Sequence, residues 1–453
     1  MKINKGDRPL RGIPSSQGAL ALRTREIRRR RSQRGIALVA VIIAIAITVA
    51  ITNEFGTATS TDLTAAANYR DQMKAHFLAR SAQSMGELVV RIQQRLDNVK
   101  QLQGLFQITD YADTLILPFC GSNAEVHDLL GPLADHIKGL GADVGTCGFD
   151  GPFKTEDDKI NVNCANNQTA WQTVYAAIGA LIYPPAYDQV FDENDAEGWH
   201  RDRQTQAAAI IDYIDSDQQH LRDRGTSEDY PYTELKDKYF AKNNYIDTVG
   251  ELKQVRGVDD RFWTLFGDAF TVYGGCKLNV SLLSNTQLIA AVLFLAAANP
   301  NDPVVTDPKR LYLLASYIAK SREFGEIFTN LDDFIAFVKN PGASVQSLAS
   351  TGQGSISGSA ASAAVSAGLP GLSQNIGLVL DKTKLAQIAT VGPRRTYRIV
   401  AYGEIAGPVD KDGKPIFPPI RSTVNGVWDT KVVPQNVRRP PVPKGAWVFE
   451  KEE

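Results

Sequence analysis

The sequence predicts an α+β protein with one very long amino-terminal helix, a mostly helical middle and a few terminal strands, on three observations. An uncharged apolar run of sixteen residues, Ile36 to Ile51, passes into a helical rhythm of apolar positions (Phe77, Leu78, Met85, Leu88, Val89, Ile92, Leu96) that lasts to about Asn98. From about residue 167 to residue 298, apolar residues again recur at three- and four-residue steps. Thr396 to Gly403 alternates every second residue and is rich in β-branched and aromatic side chains, with Ile420 to Val433 as its partner strand.

The length of 453 residues and the 43% hydrophobic content support two or three compact units around a substantial core. The formal net charge of -1 hides an asymmetry, because the first 35 residues hold eleven Lys/Arg against Asp7 and Glu26. The remainder is therefore acidic, near -10, which disfavours broad nucleic-acid binding by the body.

The apolar run directly follows the basic tract Arg28 to Arg34. It is slightly short of a bilayer span but extends through Thr52 and Asn53. The arginines predict a cytoplasmic front end and an exported body after Glu54. A break or bend is expected near Gly56, where helix propensity is lowest. Thr48-Val49-Ala50 is passable as an ordinary signal-peptide cleavage site, so a signal anchor or a released protein stays open at this point.

In the middle region, residues 167 to 183 and 204 to 214 read as helices, and Leu252 to Phe266 reads as helix, turn at Gly257, helix. The run after Asn285, TQLIAAVLFLAAA, is apolar nearly all round and predicts a buried helix too short to span a membrane. Residues 341–375 are Gly/Ser/Ala-rich and predict a flexible loop. The proline-rich residues 434–453 predict a tail.

Four cysteines, Cys120, Cys147, Cys164 and Cys276, lack C-x-x-C spacing, so a thiolate metal site is disfavoured. In an exported body an even count suits one or two disulfides, with buried thiols as the alternative and the connectivity open. Asp212, Asp215 and Asp217 crowd one helix end, followed by Asp223, Glu228 and Asp229, a composition that suits a hard cation or a solvated acidic turn. The spacing is not that of an EF-hand. The turn at Val255-Arg256-Gly257-Val258 has the rhythm of a helix-hairpin-helix, but one arginine in an acidic body is poor support for DNA, and packing is the simpler use. His76, His127, His136, His200 and His220 are scattered, and no metalloprotease, phosphate-loop or serine-elbow motif occurs. No catalytic constellation emerges.

Several spaced segments resemble the K-type minor pseudopilin family of type II secretion systems, the general secretion pathway protein K family. Tyr69-Arg70-Asp71-Gln72 and Phe77-Leu78-Ala79-Arg80-Ser81-Ala82 look like its spine helix, and Lys159-Ile160-Asn161-Val162-Asn163 like the entry to its inserted domain. Ile211 to Asp217, Gly250 to Val258 and Leu278-Asn279-Val280 follow in the family's order, with a departure at Val280-Ser281-Leu282-Leu283.

The resemblance implies a pilin-like long helix and antiparallel sheet carrying a large inserted, mostly helical domain. It divides the chain into a basic leader (1–35), transmembrane and spine helix (36–100), first part of the body (101–163), inserted domain and return (164–340), loop (341–375), terminal strands (376–433) and tail (434–453). Arg34-Gly35 before the apolar run resembles a prepilin signal, which implies cleavage between Gly35 and Ile36 by prepilin peptidase and methylation of the new terminus. The family's glutamate at the fifth mature position is here Ala40, which fits a tip subunit.

The resemblance further implies calcium held by Asp212, Asp215, Asp217 and Asp229. It also implies I-, J- and H-type minor pseudopilins and the major pseudopilin as partners, an inner-membrane single pass with a periplasmic body, and assembly of the pseudopilus tip for protein export. The alternatives are a signal-anchored envelope enzyme and a membrane-tethered DNA-binding protein.

Overall fold

The computed structural model describes residues 16–99, 107–131, 145–195, 198–223, 225–323, 328–341, 376–407, 410–411, 414, 416–432 and 445–452, with the side chains of 16–34, 123, 124, 130 and 323 excepted. The leader's first fifteen residues, all but residue 341 of the expected 341–375 loop, the proline-rich 433–444 and His136 lie outside them. Residues 1–73 and 74–453 are two compact units.

Helix α1, Ser16–Asp97, passes through Gly56 without a break, so the interruption expected there does not occur. A single glycine costs a helix only about 1 kcal/mol, and no proline interrupts the run. Around it the hydroxyls of Thr48, Thr52, Thr57 and Thr61 donate to helix carbonyls three or four residues back, at 2.7–2.9 Å, so the polar side chains find partners on the helix itself. Its most apolar stretch has a mean hydropathy of 2.8 with none of it buried, long and apolar enough to cross a membrane.

From residue 74 on, the same helix buries one face. Ala75, Ala79, Ala82, Val89 and Val90 are buried at helical spacing. The short helices α2 (Ala112–Cys120) and α3 (Asn123–Leu130) follow, the latter opened by a Ser122/Glu125 capping box. Strands β1 (Thr146–Phe149) and β2 (Lys154–Thr155) come next. Disulfide Cys120–Cys147 ties α2 to β1.

The chain then enters a helical domain through β3 (Ile160–Asn161) and α4 (Trp171–Ile182). A small hairpin, β4 (Glu193–Asn194) and β5 (His200–Arg201), leads to α5 (Arg203–Asp212) and α6 (Tyr230–Thr233). Next come α7 (Asp260–Phe266), β6 (Phe270–Thr271) and β7 (Leu278–Asn279). The domain continues with α8 (Thr286–Ala296), α9 (Pro303–Thr306), α10 (Pro308–Glu323) and α11 (Leu331–Lys339).

The expected first limb before Gly257 is a 3-10 turn, Val249–Gln254, because Val255 is extended (φ -72°, ψ 128°) and stops it after six residues. Helix α8, apolar nearly all round, packs against α4 and α10 and buries Leu288, Ile289, Val292 and Leu293 in one large core. Disulfide Cys164–Cys276 closes this domain across 112 residues.

Residues 376–390 were expected among the terminal strands but belong to the helical core. Ile376, Leu378 and Leu380 are buried there, helix α12 (Lys382–Ile388) packs on α8 and α11, and β8 (Ala389–Thr390) runs parallel to β7. Their apolar spacing suits either environment, and only the packing separates them.

Strands β9 (Thr396–Ile405) and β10 (Ile420–Asp429) form the antiparallel hairpin the alternation predicts, registered from Ile405↔Ile420 to Thr396↔Asp429. The sheet order is β1-β9-β10-β11, with β2 also on β9. Tyr397, Ile399 and Ala401 of β9 join Ala82, Val89, Val90, Phe149 and Trp428 in a second core beneath α1. At Gly403 the sheet backbone touches the helix: a Cβ there would lie 2.1 Å from the Ala75 carbonyl oxygen. The end of the expected tail is instead strand β11 (Ala446–Glu452), paired antiparallel with β10. Its alternating Trp447, Phe449 and charged residues fit a half-buried edge strand.

Candidate metal-binding site

Asp202 caps α5 by accepting from the Thr205 amide at 2.8 Å, and the helix runs to Asp212 through a fully apolar stretch, Ala207 to Ile211, that holds it in the core. One further turn carries Asp215 and Asp217. The polar loop then doubles back through an antiparallel bridge, Gln219↔Ser227, and delivers Glu228 to the same place. Ligand atoms of Asp212, Asp215 and Glu228 all lie within 4.8 Å of one another.

The three carboxylates are crowded and short of partners. Asp212 is 3% exposed and Glu228 1%. One Asp212 oxygen accepts from the Leu221 amide at 3.1 Å, and its Oδ2 lies 3.7 Å from His220 Nε2. Among the described residues, Asp212 Oδ2, Asp215 Oδ1 and both Glu228 oxygens are buried acceptors without a hydrogen-bond donor. Burial, and then the neighbouring carboxylates, push the metal-free carboxyls up: Asp212 to about 8, Asp215 to about 7 and Glu228 to about 9.

Asn243, at φ 47°, donates from its side chain to the Asp217 carbonyl (3.0 Å) and from its backbone to the Tyr213 carbonyl (3.0 Å). Its Oδ1 is a further buried acceptor with no donor. Buried, unpartnered oxygens of this kind suit a hard divalent cation, which takes six to eight oxygens and repays their desolvation. The donor set therefore fits calcium.

Two residues expected to bind are placed otherwise. Asp217 Oδ1 accepts from the Gln219 amide (2.8 Å), and its charge raises its neighbours from beside the trio. Asp229 Oδ1 accepts from the Ala241 amide (3.0 Å) while its carbonyl accepts from Thr233, so it organises the α6 turn. Glu228 stands in its place. Adjacent acidic residues cannot be told apart by composition, and the bridge at Ser227 decides which one points inward.

The turn expected from the helix-hairpin-helix rhythm is committed to packing. Arg256, 6% exposed, donates to both Asp195 oxygens (2.7 and 3.1 Å) and to the Pro231 carbonyl. Gly257 sits at φ +87° under Trp199 and Gln206, and its carbonyl accepts from Arg201 at 2.8 Å. The charges that flank the turn are paired with one another, Lys253 with Asp260 and Arg261 with Asp259, and Glu251 is paired with Lys242.

Residues 159–272, which contain the carboxylate trio and this turn, match the family described as Type II secretion system (T2SS), protein K. The match spans about a quarter of the chain. No curated protein matches the chain. Among solved structures, the GspK-GspI-GspJ complex of the enterotoxigenic Escherichia coli type 2 secretion system contains a similar chain, at 13% identity and a TM-score of 0.45, over 85% of this chain and 98% of that one. The four cysteines form the pairs described above: Cys164, inside the matched residues, joins Cys276, four residues past them, and Cys120–Cys147 lies in the sheet-bearing part.

Proposed function

We propose that the chain is a minor pseudopilin of a type II secretion system, anchored in the bacterial inner membrane with its body in the periplasm, and that it works by assembly, not by turnover. The observation that carries this reading is the protein K match over residues 159–272 in a chain whose amino-terminal helix is apolar enough to cross a membrane. The leader's Gly35-Ile36 bond is the proposed prepilin-peptidase site, with Ile36 the methylated terminus of the mature protein.

In this reading the apolar helix packs with those of other pseudopilins, I- and J-type first, and the large protein K domain sits at the fibre tip, where its bulk prevents addition of a further subunit. H-type and major pseudopilins meet it along the fibre. Calcium, held by Asp212, Asp215 and Glu228, orders the loop between α5 and α6. The charge balance supports the absence of a nucleic-acid partner, since the arginine at the Gly257 turn is already paired.

The test is co-purification of the full chain from native membranes with I- and J-type subunits, in calcium and in chelator, with amino-terminal sequencing of the recovered protein. Association and a terminus at Ile36 are expected. Retention of Met1, or a cut after Ala50, together with no association at any calcium level, refutes the reading and returns the chain to an ordinary anchored or released envelope protein.

A further inference from the structure

Three parts of the body meet at the terminal strand. Its backbone pairs with β10 from Val424↔Glu452 to Asp429↔Ala446. Its acidic side chains reach the spine helix: Arg80 donates to Glu450 at 3.0 Å and also to Glu452, and Gln83 donates to Glu450 at 2.7 Å. Its Phe449 ring lies 5.9 Å from Tyr273, one residue past the segment that matches protein K. The contacts on α1 fall at positions 80 and 83, one helical turn of one face, with His76 Nδ1 4.0 Å from Glu452 one turn earlier.

The receiving surface is shaped for the strand. Gly426 of β10 leaves room for the Trp447 ring, since a Cβ there would lie 2.6 Å from it. Trp447 meets buried Trp428 edge to face at 5.2 Å, and Gly445, at φ +114°, lets the chain turn into the strand directly over the Trp428 ring. The ion pairs are between a third and a half exposed, so they select register more than they supply energy. The aromatic anchors and the backbone ladder supply the hold.

We propose that residues 445–452 are a strap: a separable strand whose docking locks the spine helix, the sheet and the protein K domain into one register. With the strap docked, the α1 face at Arg80 and Gln83 cannot slide on the sheet. With it gone, the β10 edge stands open as a strand acceptor that the same sequence refills.

The test measures backbone hydrogen exchange in the full chain, in calcium, for Arg80→Glu, for Glu450→Lys/Glu452→Lys, and for all three together. Either reversal is expected to speed exchange several-fold in three places at once: residues 74–90, 445–452 and 270–275. The triple variant, with charges exchanged, is expected to restore protection. A chain ending at residue 444 is expected to show roughly tenfold or faster exchange in the same places, and a synthetic peptide of residues 445–453 to reverse it. Faster exchange confined to β11, or no recovery in the triple variant, overturns the proposal and leaves β11 as a passive edge. If the shortened chain does not fold, the charge-exchanged variants decide the matter alone.

Discussion

Calcium binding at the α5 end is expected to expel protons, and the number follows from the crowding of the site. At pH 7 a carboxyl pushed up to about 9 is protonated, one at about 8 is mostly so, and one at about 7 is half so. The metal-free trio therefore holds roughly two protons that a cation must displace. Titration calorimetry at pH 7 in two buffers of different ionisation enthalpy reads that number directly. The apparent affinity is then expected to rise by about two orders of magnitude per pH unit around neutrality. Glu228→Gln removes a charged ligand and is expected to weaken binding roughly a hundredfold, while Asp229→Asn leaves the proton count unchanged. Release of less than about half a proton refutes the assignment of these three carboxylates as the ligands, and so does an unaltered affinity in Glu228→Gln.

The remaining predictions concern stability. The three carboxyls have folded pKa values above their unfolded ones, so in chelator the stability linked to them is complete below about pH 4 and is lost as pH rises to about 7 to 9. Thermal melts in chelator are expected to show that decline, and saturating calcium to abolish it. Gly403→Val puts a side chain into the Ala75 and Ala79 backbone, and is expected to cost about 3 kcal/mol or more in denaturant unfolding, whereas a valine at exposed Gly151, despite its positive φ, meets no atom within 4 Å and costs less. Cys164→Ser/Cys276→Ser opens a loop of 112 residues and is expected to cost about 4–5 kcal/mol, against about 3–4 kcal/mol for Cys120→Ser/Cys147→Ser across 27 residues. Equal losses in urea unfolding would contradict the loop-length argument.

The parts of the molecule that read most directly are those with local periodicity. The long helix, the buried α8 and the β9–β10 hairpin each follow from side-chain spacing, because burial of one face imposes a period of 3.6 or 2 on the residues themselves. Gly56 misled because a low intrinsic propensity is a small local cost that a long helix absorbs. The tail misled because prolines at 434–443 mask the alternation of Ala446–Glu452, a strand whose partner is β10.

At the candidate site the same division holds. Asp212 and Asp215, three apart at a helix end, were legible as neighbours. Glu228 was not, since the loop that returns it is fixed by the bridge at Ser227. The disulfide partners were open for the same reason: Cys164 and Cys276, 112 residues apart, follow β3 and β6, which lie side by side in a parallel pair.

By itself, then, the amino-acid sequence determined the apolar amino-terminal run, the charge asymmetry, the helical and strand periods and the presence of an acidic cluster, all of which depend on residues close together in the chain. The tertiary structure alone decided which carboxylates converge, which cysteines join, that residues 376–390 return to the helical core and that the last strand binds the spine helix. Those outcomes depend on contacts between distant segments, whose loop-closure entropy is met only by the assembled core.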